Sequence, residues 1–179
     1  LGGLQSTWER CMDEYRLHPL FVNLLKEQGS RQRGFGNVIL RRLHEEQGLS
    51  PHLETAFFEQ WYLKNHSEEE LEANAEAVLR DVRGDLPGDN LWTQVQKYRV
   101  LADGALPALF EAETGTRDGL DDVINRPLNA STVAGRIESA RLQIESESDR
   151  PVRLLLLLDE ITLFIGTRYG LLTELNALA

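Results

Sequence analysis

Apolar residues recur at helical spacing along most of the chain and run together in two short blocks. The first readable element is a helix over 7–17, where Ser6 or Thr7 can cap and Trp8, Cys11 or Met12, and Tyr15 share one face. Pro19 stops it, and Leu20-Phe21-Val22-Asn23-Leu24-Leu25 reads as a buried strand. A glycine-bearing loop, Gly29 to Gly36, precedes an amphipathic helix that Asn37 opens, with Val38, Ile39, Leu40 and Leu43 inward and Gly48 closing it. The next stretch is helical for about a hundred residues, long enough for a unit of its own. Ser50-Pro51 reads as an N-cap with proline at the first helical position, leading to Leu53, Phe57 and Trp61. Ser67-Glu68-Glu69-Glu70 is a capping box, and Leu71, Ala75, Val78 and Leu79 supply the face that follows it. Beyond the turn at 84–89, Leu91, Val95, Tyr98 and Leu101 stay in helical register, as do Val133, Ile137 and Ile144 in a helix over 131–147.

The second apolar block is Val152-Arg153-Leu154-Leu155-Leu156-Leu157-Leu158, which ends abruptly in Asp159-Glu160. Leucine favours helix, but the preceding Pro151, the brevity and the acidic end point to a strand buried on both faces of a parallel sheet. Leu171, Leu172, Leu175 and Leu178 then fall on one helical stripe. The boundaries predicted are 1–49 for a strand–loop–helix part, 50–150 for a helical insertion, and 151–179 for the acidic strand and its helix. The fold class predicted is α/β, predominantly helical.

Composition narrows this picture without changing it. The chain has 179 residues, 41% hydrophobic and 27% charged, which suits a folded domain and excludes a disordered or collagenous one. A formal charge of −10 argues against a generic phosphate-backbone binder. One cysteine, Cys11, excludes an internal disulfide and a cysteine-rich zinc site. The longest apolar run is far too short to span a bilayer, and the first residues have no secretory pattern, so a cytoplasmic protein is expected. Starting at Leu1 rather than Met, the sequence reads as a processed or excised piece.

The chemistry-bearing candidate is Asp159-Glu160. In P-loop NTPases an aspartate at the carboxyl end of a buried strand serves the Mg²⁺ site, and a neighbouring glutamate polarises the attacking water. The sheet fixes such a strand end where β-to-α loops gather phosphates, though an acidic pair can equally cap the next element. The usual companion, G-x-x-x-x-G-K-[ST], is missing. Gly29 and Gly34 have the glycine spacing, but Phe35 and Gly36 occupy the lysine and hydroxyl positions. His18, His44, His52 and His66 lack metal-ligand spacing and read as surface or half-buried side chains, while Cys11 reads as core. Lys26, Arg31, Arg33, Arg41 and Arg42 form a basic cluster read as a solvated face, and so does the acidic stretch 68–89. Asn129-Ala130-Ser131 matches a glycosylation sequon in a chain without a secretory signal.

Three stretches resemble one family: His18-Pro19-Leu20-Phe21-Val22-Asn23-Leu24-Leu25; the helix 36–48 with Phe58-Glu59-Gln60-Trp61; and Leu155-Leu156-Leu157-Leu158-Asp159-Glu160-Ile161 through Phe164-Ile165-Gly166. They look like the large P-loop ATPase of bacterial BREX and Pgl phage-resistance systems. The resemblance implies part of a P-loop NTPase sheet of AAA+/ASCE type with a helical insertion, ATP and Mg²⁺ as cofactors, Asp159 as the Mg²⁺-associated carboxylate acting through water, and Glu160 as the catalytic glutamate. The family's phosphate-binding loop would precede Leu1, so the isolated chain is expected to bind ATP weakly or not at all and to be inactive. Implied partners are other subunits of the defence system; a homo-oligomer and DNA contact stay open, and no membrane is involved. Two alternatives stand beside this reading. One is a mainly helical interaction module in which Asp159-Glu160 merely caps. The other is a nucleotide-binding regulator that uses ATP as a switch.

Overall fold

The computed structural model describes residues 2–24, 34–83, 90–124, 130–160 and 173. These contain α1 (Gly2–Glu14), β1 (Arg16–Asn23), α2 (Gly34–Glu46), α3 (Leu53–Tyr62), α4 (Glu68–Arg83), α5 (Leu91–Lys97), α6 (Arg99–Thr114), α7 (Leu120–Val123), α8 (Ala130–Ser146) and β2 (Val152–Asp159). The described chain is α/β and mostly helical. It divides into two compact units, one built from 1–43 and 129–179 and the other from 44–128.

The first unit is organised by β1 and β2, which pair in parallel with Arg16 opposite Val152 and Asn23 opposite Asp159. Leu20, Val22 and Leu24 point to one face, where Phe35, Val38, Ile39 and Leu43 of α2 and Ala140 of α8 bury them. Leu154, Leu156 and Leu158 join that cluster from β2, with Ile137 and Ile144 of α8. Burying one such side chain fully contributes about 1.5–3 kcal/mol, so this face holds the pair together. The opposite face differs from the sequence expectation. Phe21 and Leu157, directly paired, are 62% and 38% exposed, so β2 is covered on one face only by the described residues. A run of leucines carries no alternation, and the pattern therefore could not tell one covered face from two. The last helix of the expected insertion, α8, packs on β2 and belongs with the strands.

Pro19 lies inside β1 and does not precede it. Arg16 N donates to Pro151 O and Leu24 N to Asp159 O, so the backbone N–H groups of even-numbered residues of β1 are directed at β2. Pro19 is of the other parity, and its missing N–H costs no bond to β2. The helix before it ends at Glu14, and its expected inward face is largely open: Trp8 is 51% and Met12 46% exposed, and Cys11 is half-buried rather than core. Arg150 Nη1 donates to Met12 O at 3.1 Å, and the Arg153 guanidinium lies 4.7 Å over the Tyr15 ring.

The start of β2 is clipped to α8. Glu145 Oε2 accepts from Val152 N at 2.7 Å, and Arg141 Nη1 donates to Val152 O at 3.0 Å. Arg141 also bonds Glu138 and Glu145, which raises its own affinity for a proton; the Glu138 carboxyl is held below its usual range by Arg141, and that of Glu145 by the Val152 N–H first and Arg141 second.

The second unit is all helix among its described residues. Leu71, Ala75 and Leu79 of α4, Trp92 and Val95 of α5, and Leu106, Leu109 and Phe110 of α6 meet Phe58 and Tyr62 of α3 in one core. The capping box forms as expected: Ser67 N donates to Glu70 Oε2 at 2.8 Å and Glu70 N to Ser67 Oγ at 3.2 Å. Gly48 takes the left-handed conformation, φ 76°, that ends α2. The expected cap at Ser50-Pro51 is not made, since His52 is the N-cap residue of α3. The register shared by Leu91 and Leu101 also conceals a break. Tyr98 is extended, with φ −117° and ψ 105°, and separates α5 from α6. Carbonyls at the end of α5 instead meet side chains from the turn before α3. Ser50 Oγ donates to Gln96 O at 3.0 Å, and His52 Nε2 lies 3.1 Å from Lys97 O.

Candidate functional site

The strand end singled out by sequence is at the carboxyl edge of the parallel pair. Asn23 and Asp159 are register partners, and Asn23 Nδ2 donates to Asp159 Oδ2 at 3.3 Å although the two residues are 136 positions apart. Both are exposed, as is Glu160. Glu160 has φ 59°, a left-handed conformation that costs a side-chain-bearing residue roughly 1–2 kcal/mol. That conformation ends the strand and separates the backbone path of Glu160 from that of Asp159. Such positive-φ residues cluster at functional turns, where neighbouring structure maintains the strain.

Carboxylate and amide oxygens are the hard donors that Mg²⁺ takes, usually with several waters retained. The donor set of Asp159, Glu160 and Asn23 therefore fits a water-mediated Mg²⁺ role. It does not make a closed metal cage: no group of three or more His, Cys, Asp or Glu side chains that could hold a metal ion occurs among the described residues. Residues 25–33, including Lys26, Gly29, Arg31 and Arg33, lie outside the described residues, as do Phe164-Ile165-Gly166 and the leucine stripe from Leu171. Gly34 and Gly36 open α2, earlier than the expected start at Asn37. Arg41 and Arg42 are half-buried on the same helix.

The helical unit contains a polar site that sequence reasoning passed over. Glu59, on α3, is only 1% exposed. Its Oε2 accepts from Ser50 N at 2.7 Å, and its Oε1 accepts from Trp92 Nε1 at 2.9 Å and Gln96 Nε2 at 2.6 Å. Burial pushes the carboxyl above its ordinary value; the three donors oppose that shift, and the negative charge of Glu68 adds to it. Beside this network is a cavity of about 170 Å³, walled by Leu63, Leu71 and Trp92, with Glu59, Glu68 and Glu72 on its lining. The available signal was a single acidic residue within the apolar stretch Ala56-Phe57-Phe58-Glu59-Gln60-Trp61-Tyr62. His44 was likewise underrated. It is fully buried, with its ring set edge-on to Phe57 at 5.5 Å. His66 is half-buried, 2.9 Å from Glu113 Oε1 and 4.4 Å from the Tyr62 ring centroid.

No described helix is long and apolar enough to cross a membrane. Comparison of the chain with protein-family models, curated proteins and solved structures finds no match.

Proposed function

We propose that this chain is the segment of a P-loop ATPase that presents the acidic strand end, and that the helical unit 44–128 is an insertion between two strands of the nucleotide-binding sheet. The observation that supports this most is the parallel register, which sets Asn23 beside Asp159 at one edge with Glu160 directly following. In open parallel sheets ligands bind outside the carboxyl ends of the strands, and this is where the two carboxylates emerge. On this reading Asp159 would hold Mg²⁺ through water, and the ion, when bound, would supply charge neutralisation at the phosphates. Glu160 accepts the proton of the attacking water, and Asn23 fixes the Asp159 carboxylate through its amide. The resemblance to the BREX and Pgl ATPase extends the proposal to phage defence, with other subunits of that system as partners.

The test is Glu160→Gln in the full-length protein that contains this segment. Loss of a general base lowers turnover by about 10²–10⁴-fold, while equilibrium ATP binding should persist. Unchanged hydrolysis would reject the assignment. For the 179-residue chain alone, calorimetry with Mg²⁺ and ATP is expected to show no binding.

A further inference from the structure

The parallel pair has two outer edges, and their chemistry differs. Among the described residues β1 and β2 pair only with each other. Odd-numbered residues of β1 direct their backbone groups outward, and one of them, Pro19, has no N–H to offer a neighbouring strand. In β2 the outward groups belong to even-numbered residues. Those of Val152 are already met from α8, because its N–H donates to Glu145 and its C=O accepts from Arg141. Those of Leu154, Leu156 and Leu158 meet no described strand. Backbone N–H and C=O groups require partners, and a row of them along an apolar strand is a template for another strand. At the far end Glu160, at φ 59°, stops the strand. The edge open to pairing is therefore 154–158, closed at both ends.

We propose that this edge pairs with the same edge of a second copy of the chain, antiparallel about a two-fold axis at Leu156. In that register Leu154 lies opposite Leu158 of the second copy and Leu156 opposite its own counterpart, and each such pair exchanges two backbone bonds. The odd-numbered residues project onto the open face of the sheet, Leu155 opposite Leu157 and Arg153 opposite Asp159. Charge selects this occupant. Read antiparallel, the run from Arg153 through five leucines' worth of apolar strand to Asp159 is complementary to itself, basic end against acidic end. Arg153 and Asp159 are both exposed, so they can meet without a change in the core. Val152 then stands opposite Glu160 of the second copy, where one strand has ended and the other's groups are held by α8. The assembly closes at two copies, because both edges that remain outside are β1 and carry Pro19. This pairing stands apart from the ATPase reading and needs no nucleotide.

Sedimentation of the 179-residue chain over a concentration series should show reversible conversion of monomer to dimer, with no larger species. Amide exchange at Leu154, Leu156 and Leu158 should slow several-fold in the dimer, while Phe21 on the β1 edge exchanges alike in both. Arg153→Asp and Asp159→Arg, changes of exposed side chains, should each weaken the dimer roughly tenfold, because the two-fold axis repeats every like-charge pair. The double variant, Arg153→Asp with Asp159→Arg, should regain the lost affinity. A chain that stays monomeric at its highest soluble concentration would overturn the proposal. So would a dimer indifferent to the single reversals or not restored by the double one, assemblies that keep growing, or protection at Phe21 in place of the leucines. Loss of the dimer in Phe21→Ser, with Arg153→Asp having no effect, would assign the contact to the open sheet face and would likewise reject pairing through the edge.

Discussion

Replacing Glu59 by leucine removes the acceptor for three donors and leaves the shape roughly filled. Ser50 N and Trp92 Nε1 are buried and lose their partner outright, whereas the partly buried Gln96 amide can turn toward water. Leaving a buried donor unsatisfied costs about 1–3 kcal/mol. Two such losses amount to roughly 2–6 kcal/mol, diminished by the relief of no longer burying a carboxylate. Domain stabilities are only about 5–15 kcal/mol, so the helical unit should unfold at markedly lower urea. Tryptophan fluorescence and far-ultraviolet circular dichroism would follow the transition, with Glu59→Gln as the comparison because it keeps two of the three acceptor contacts.

The same pair of proteins tests the pH dependence. The folded-state pKa of Glu59 is raised, chiefly by burial, so the folded state holds its proton more tightly than the unfolded chain does. The stabilisation from this group is fully present below the unfolded value and is lost as pH rises through the raised folded value. Relative to Glu59→Gln, the native protein should therefore gain stability on acidification from neutral pH. A Glu59→Leu cost below about 1 kcal/mol, the worth of a single ordinary hydrogen bond, would refute the assigned network. A stability difference from Glu59→Gln that does not change with pH would refute the assigned burial effect.

Two further outcomes follow from local geometry. Asn90 caps α5 by accepting from Thr93 N at 3.0 Å while holding φ 83°; Asn90→Ala should cost about 2–3 kcal/mol from cap and backbone together, and Asn90→Gly only a few tenths, by urea midpoint. At the start of β2, Glu145→Gln weakens the bond from Val152 N and should speed exchange of that amide several-fold. Because the Glu145 and Glu138 carboxyls lie below their usual range, their stabilisation is present above the ordinary carboxylate value and is lost as pH falls through the depressed folded values, the reverse of Glu59.

Several elements were legible because the forces that make them act within a turn or two. The Ser67–Glu70 box spans three positions, and the left-handed close of α2 at Gly48 needs only that residue's missing side chain. The strand at 152–159 was visible from its apolar run and acidic end. The break at Tyr98 was not, because hydrophobic register continues through it and the groups that meet the end of α5 come from Ser50 and His52, more than forty residues earlier. The uncovered face of Phe21 and Leu157 was hidden for a related reason: a leucine run reads alike whether one face or two are packed.

By itself, then, the sequence determined most of the helical segments, where several of them start and stop, and that one apolar strand ends in Asp159-Glu160. Tertiary structure alone decided that Asn23 lies across from Asp159, a pairing of residues separated by 136 positions. It also decided that Glu59 is buried, since its donors Ser50, Trp92 and Gln96 are 9, 33 and 37 residues away. Capping and periodicity are short-range and leave their mark on neighbouring residues. Which strands pair and which carboxylate loses its water depend on contacts that exist only after distant segments have packed.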